Sequence, residues 1–111
     1  MNRINNGIRY NSKILFMNLH EIISFFEEVA PFSLQESYDN SGLQTGNPTM
    51  EISGALICLD VTEEVIEEAL QHKLNLIISH HPLVFHPVKS LTGKNATEKM
   101  LIKAIKNDLA I

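Results

Sequence analysis

The spacing of apolar positions changes repeatedly along this chain, and each change predicts a new element. From Asn18 onward, Leu19, Ile22, Ile23, Phe26 and Ala30 recur at helical spacing, with Glu27 and Glu28 opposite. Asn18 and Glu21 stand at capping-box spacing, and Pro31 stops the helix. Ala55-Leu-Ile-Cys-Leu59 is a continuous apolar run of strand length without polar alternation, the pattern of a strand buried on both faces. A second helix follows over residues 62–72, with Asp60 and Thr62 available as caps and an acidic first turn that suits the helix dipole. Its apolar stripe is Val65, Ile66, Ala69 and Leu70. Residues 74–79 read as the next strand. Asn95 and Glu98 repeat the capping box before a third helix, with Met100, Leu101, Ala104 and Ile105 inward and Lys99, Lys103 and Lys106 outward. Residues 109–111, Leu-Ala-Ile, begin a further strand.

Strand, helix, strand, helix, strand is the order of an α/β protein with a parallel βαβαβ core and flanking helices. Ligands of such sheets sit beyond the carboxyl ends of the strands, and there Asp60, His80 and His81 emerge. The connection over 31–51 is dense in turn formers, and loops of that length in a small domain are usually functional or disordered. Residues 1–16 show no sustained periodicity and read as a loose basic arm, carrying Arg3, Arg9 and Lys13 with no acid. Met17 is an alternative start, and residues 17–111 form the domain.

Charge and composition narrow the function classes. A net charge of -4 argues against a nucleic-acid surface, which needs clustered Lys and Arg. A single cysteine, Cys58, forms no internal disulfide, which suits the reducing cytoplasm. No apolar stretch reaches a membrane span, and the start lacks the apolar region of a secretory signal.

The least ordinary residues are His80 and His81, adjacent at the end of an apolar strand and followed by Pro82. Imidazole is the commonest protein metal ligand, and the bland alternative is a hydrogen-bonded pair closing a strand. Consecutive strand residues point to opposite sides, so the pair suits two neighbouring metals, or one metal after a kink. Two imidazoles alone do not complete a site. Asp60 reads more simply as a helix cap or loop acid. Asp39 and Asn40 before Ser41-Gly42 read as a turn, with Gly42 at positive φ. Ser41 lacks a nucleophile-elbow context, and no glycine loop for nucleotide phosphates occurs. His20 and His72 fall on helix surfaces, His86 is a weak third member of the histidine pair, and Cys58 reads as core.

Three motifs in order carry a resemblance: Tyr38-Asp-Asn-Ser-Gly-Leu-Gln44, then Leu59-Asp-Val-Thr62, then Asn75-Leu-Ile-Ile-Ser-His-His-Pro-Leu-Val-Phe85. Over residues 17–111 the chain resembles the amino-terminal part of the Nif-three-like proteins, often labelled GTP cyclohydrolase 1 type 2 homologues. The resemblance implies the amino-terminal part of a larger α/β domain, a dinuclear divalent-metal site and a toroidal homohexamer. The two ions would be zinc, iron or manganese, with His80 and His81 as ligands and Asp39 and Asn40 lining the same cleft. The family's later motifs, a His-Thr-x-x-Asp stretch and a His-x-x-x-Glu pair, are not in this sequence. It therefore reads as the first part of a longer protein, with only the His-His half of the metal site.

Two functions follow as expectations. The first is a metal-dependent hydrolase of cyclohydrolase or phosphoester type acting on a small molecule, with the 111-residue chain inactive alone. The second is a non-catalytic oligomeric binding or assembly module, related to partners of transcription regulators. It would use an open sheet edge at residues 109–111.

Overall fold

The structure, a computed structural model, describes residues 2–4, 8–10, 13–15, 17–31 and 39–111. Tyr38, the first residue of the first motif, lies outside them. Strands β1 (Asn2–Ile4), β2 (Ile8–Tyr10) and β3 (Lys13–Leu15) precede α1 (Leu19–Val29). The chain then runs through β4 (Ala55–Cys58), α2 (Glu63–Gln71), β5 (Leu76–Ser79) and α3 (Ala96–Lys106). β4 and β5 pair in parallel, with Ala55 opposite Leu76 and Cys58 opposite Ser79. On the far side of β5, Ala110 bridges Leu76 in parallel: Ile77 N–H donates to its carbonyl at 2.8 Å, and its own N–H donates to that of Asn75 at 2.9 Å. The expected order is present through β4, α2, β5 and α3, and the third parallel strand is a single bridge at Ala110.

Period-two alternation splits the strands between two cores. Leu56, Cys58, Ile77, Leu109 and Ile111 pack with α2 and α3 through Val65, Ile66, Ala69, Met100, Leu101 and Ala104. Ala55, Leu76 and Ala110 point the other way, onto Leu19 of α1 and Ile52. Burial on both faces explains the unbroken apolar runs in the sequence. Each helix starts on the cap its sequence offers: Asn18 accepts from Glu21 N–H, Thr62 from Val65 N–H and Asn95 from Glu98 N–H. Lys103 of α3 pairs with Glu67 of α2.

α1 covers its sheet face only in part. Leu19 is buried and Ile22 and Ile23 are half-buried, whereas Phe25 and Val29 are 58% and 67% exposed. Among the described residues, no helix is long and apolar enough to cross a membrane.

Leu59, read as part of the buried strand, and Ile105, read as inward on α3, are 69% and 52% exposed, and two larger features also differ from the reading of the sequence. β1 adds antiparallel to the outer edge of β4, Asn2 opposite Ile57, and β2 pairs with β3, in a stretch that reads as a loose arm. Edge pairing runs through backbone groups and needs no apolar pattern, so side-chain periodicity does not reveal it. The sheet edge at 109–111 is also not open. Gln44 N–H donates to the Ile111 carbonyl at 2.7 Å, and Ile111 N–H donates to that of Thr45 at 3.0 Å.

Glu98 supplies the N–H half of the capping box, and its carboxylate turns to the Asn95 side-chain amide instead of the Asn95 backbone. It is buried at 4% exposure, accepts from Thr92 N–H at 2.9 Å and from Thr92 Oγ1 at 3.3 Å, and takes Asn95 Nδ2–H on its other oxygen at 2.9 Å. The Thr92 N–H holds its carboxyl below the ordinary value, helped by Lys94 and opposed by burial. A depressed folded value means that this stabilisation is complete above the unfolded pKa and disappears as pH falls through the lower folded one. Acid unfolding of Glu98→Gln should therefore lose part of its pH dependence in that window. An unchanged acid limb would show that the carboxylate contributes nothing there.

Candidate functional site

The parallel register builds the carboxyl edge. Cys58 stands opposite Ser79, so two steps further along each chain Asp60 meets His81. The ladder carries past both strand ends, with His80 N–H donating to the Cys58 carbonyl and His81 N–H to that of Leu59, each at 3.0 Å. Ser79 Oγ–H then donates to the His81 carbonyl at 2.7 Å, closing a tight bend before Pro82. The bend cancels the alternation expected of an extended strand. The two imidazoles lie with ring centres 4.8 Å apart at an interplanar angle of 65°.

His81 Nδ1 sits 2.8 Å from Asp60 Oδ1, both side chains being largely exposed. Reading Asp60 as a helix cap misses this pair, and Thr62 takes the cap of α2. The signal was present: aligning Ile57 with Ile78 puts Asp60 level with His81. Below them, burial and then the charge of Asp60 push the Cys58 thiol above its ordinary range, so it is a core residue and a poor nucleophile.

Asn40, Gln44, Ile78 and His80 line a cavity of about 390 Å³ whose other wall is the apolar side of α1. Asn40 Nδ2–H donates to the Val84 carbonyl at 2.8 Å, and Gln44 Oε1 accepts from Val84 N–H at 3.0 Å. Gln44 Nε2 reaches back to the carbonyls of Asn40 and Gly42 at 2.9 and 3.1 Å. Gly42, at φ 125°, makes that tight loop accessible. The first motif is thus a latch holding residues 39–46 against the chain just after the histidines. Asp39 accepts from Asn40 N–H at 2.8 Å and so shapes the loop. Gln44→Leu should cost about 1–3 kcal/mol by leaving the half-buried Val84 N–H without its acceptor, read as a lower urea midpoint.

His20, His72 and His86 are exposed, and none joins the pair in a cluster. Among the described residues, no group of three or more His, Cys, Asp or Glu is gathered as a metal cage. The donors at the edge are two adjacent imidazoles, one of them already tied to a carboxylate through Nδ1.

The family model for Duf34/NIF3 (NGG1p interacting factor 3) matches residues 17–111. The chain belongs to the Duf34/NIF3 family. It is 38% identical over 110 residues to NIF3-like protein 1 of Bos taurus, covering 98% of this chain and 29% of that protein. It is 41% identical over 93 residues to a GTP cyclohydrolase 1 type 2 homolog of Clostridium perfringens, covering 84% of this chain and 36% of the relative. The crystal structure of a Bacillus cereus protein related to NIF3 superposes with a TM-score of 0.79 at 48% identity, over 86% of this chain and 27% of that one. This Duf34/NIF3 chain therefore spans about a third of the length of these relatives. The match begins at Met17, after the strands of the amino-terminal stretch.

Proposed function

We propose that this chain supplies the two-histidine part of a divalent-metal centre in a hydrolase of the Duf34/NIF3 family. The observation that carries the reading is the pair of exposed imidazoles, 4.8 Å apart, at the carboxyl edge of the parallel sheet. Neutral imidazole suits zinc and iron, and the bend after Ser79 accompanies ring centres only 4.8 Å apart. Divalent ions, when bound, supply Lewis-acid charge for hydrolysis. His80 and His81 would hold them, Asn40 and Gln44 would keep the neighbouring loop in place, and the cavity beside His80 would receive a small substrate. A dinuclear centre also needs bridging carboxylates, which residues outside this chain would provide. The relatives named GTP cyclohydrolase 1 type 2 homologs make a nucleotide one candidate substrate.

The competing reading, an assembly module using an open edge at 109–111, loses its main support, because Gln44 and Thr45 occupy that edge at Ile111.

Zinc(II) titrated into the isotope-labelled chain should shift the NMR signals of His80 and His81 first, weakly and reversibly. His80→Ala and His81→Ala should each reduce binding about tenfold or more, the scale of removing a metal-centre interaction. Histidine signals that ignore zinc would overturn the metal reading. Two tightly held ions in the purified chain would overturn the assignment of the carboxylates to residues outside it.

A further inference from the structure

We propose that Asp60 is a positioning residue for His81, holding its imidazole as the Nδ1–H tautomer so that Nε2 is the ligating atom. The inference rests on the metal reading given above and adds to it a residue that neither composition nor helix capping marks out.

The geometry is specific. Asp60 Oδ1 lies 2.8 Å from His81 Nδ1, a short separation for a bond between these groups. An ionised carboxylate only accepts, so the proton of a neutral ring in this contact lies on Nδ1. The lone pair is then on Nε2, which can bind a cation. The contact does not depend on a chance rotamer alone. The β4–β5 register brings residues 60 and 81 level, and the ladder bonds from His80 and His81 to Cys58 and Leu59 hold the two backbones together as far as the pair. A carboxylate behind a ligating imidazole fixes ring orientation and raises ligand basicity, and losing such a partner typically weakens metal affinity by about 10–100-fold.

Asp60 is also well placed for removal without loss of the fold. Its side chain is 67% exposed, and Thr62 rather than Asp60 caps α2. Asp60→Ala should thus leave circular dichroism and the urea midpoint close to wild type, while changing His81.

The test uses the whole chain and two readouts. Long-range nitrogen–proton NMR, at a pH well above the histidine range, reports the tautomer of each ring without any metal. Wild-type His81 should be the Nδ1–H form, Asp60→Ala should move it towards Nε2–H, and Asp60→Asn, which keeps an acceptor oxygen, should retain much of the wild-type tautomer. Zinc(II) titration should then show affinity reduced about tenfold or more in Asp60→Ala and by less in Asp60→Asn. An Nε2–H tautomer at wild-type His81 would overturn the inference. So would a tautomer unchanged in Asp60→Ala, whether affinity is kept or lost, since lost affinity would then make Asp60 a ligand itself. The metal reading is judged separately by His80→Ala and His81→Ala: if they leave zinc binding intact, that reading fails whatever the tautomer of His81.

Discussion

Gly46→Ala should destabilise this protein by roughly 2–4 kcal/mol, combining an overpacked contact with backbone strain. A Cβ at this position would lie 2.7 Å from Ala110 Cβ and 3.1 Å from Ala110 Cα. Neither atom can swing away. The Ala110 backbone is bonded on both of its polar groups to β5, through Ile77 N–H and the Asn75 carbonyl. Gly46 also sits at φ 131°, beyond the small left-handed basin that other residues tolerate. The two causes separate experimentally. Ala110→Gly in the same chain should relieve the collision and leave the strain, so the double variant should recover part of the loss. A double-mutant cycle from urea unfolding would read this as a coupling of about 1 kcal/mol or more. The damage should also be local in origin: amide exchange at Gln44 and Ile111, whose bonds join the loop to the sheet, should quicken first. A Gly46→Ala chain with wild-type stability would refute the close approach of loop and sheet.

Ile66→Ala should cost about 2–5 kcal/mol, as a large-to-small change in a packed core does. Ile66 is fully buried on α2, among Leu56, Ile77 and Met100. Strand on one side and α3 on the other leave little freedom for the core to collapse around the loss. The opposite layer supplies a control. Phe25→Ser on α1 removes a larger ring, yet Phe25 is 58% exposed and should change the midpoint little, within about 0.5 kcal/mol. Equal losses from the two substitutions would contradict the unequal covering of the two sheet faces. The uncovered half of α1 lies on the same side of the sheet as the cavity beside His80.

Much of the fold was legible because the signals were local. Three helix starts follow from Asn18, Thr62 and Asn95, whose side chains accept from amides three residues on, a contact set by sequence spacing alone. The two apolar runs are strands buried on both sides, and their order with the helices leaves few topologies. The histidine pair was visible as unusual chemistry at a strand end. Its meaning was not. Whether His80 and His81 diverge or face one another depends on the bend closed by the Ser79 hydroxyl, which no periodicity encodes.

Other parts were legible only in outline. Gln44 and Asn40 read as turn residues, but their partners lie forty or more positions away at Val84. The carboxylate of Asp60 is twenty-one residues from His81 and reaches it only through strand register. The pairing of β1 with β4 leaves no mark in the apolar pattern, since backbone groups make it. The sequence by itself determined the helices, the two central strands, their parallel order and the identity of the residues at the carboxyl edge. Local hydrogen bonds and the burial of apolar runs are properties of neighbouring residues, and neighbours can be read. Tertiary structure decided which side chains meet: the facing histidines, the Asp60–His81 pair, the Asn40–Gln44 latch and the covering of Ile111 by the loop. Those contacts join residues far apart in the chain, and they exist only once register and close packing bring the backbones together.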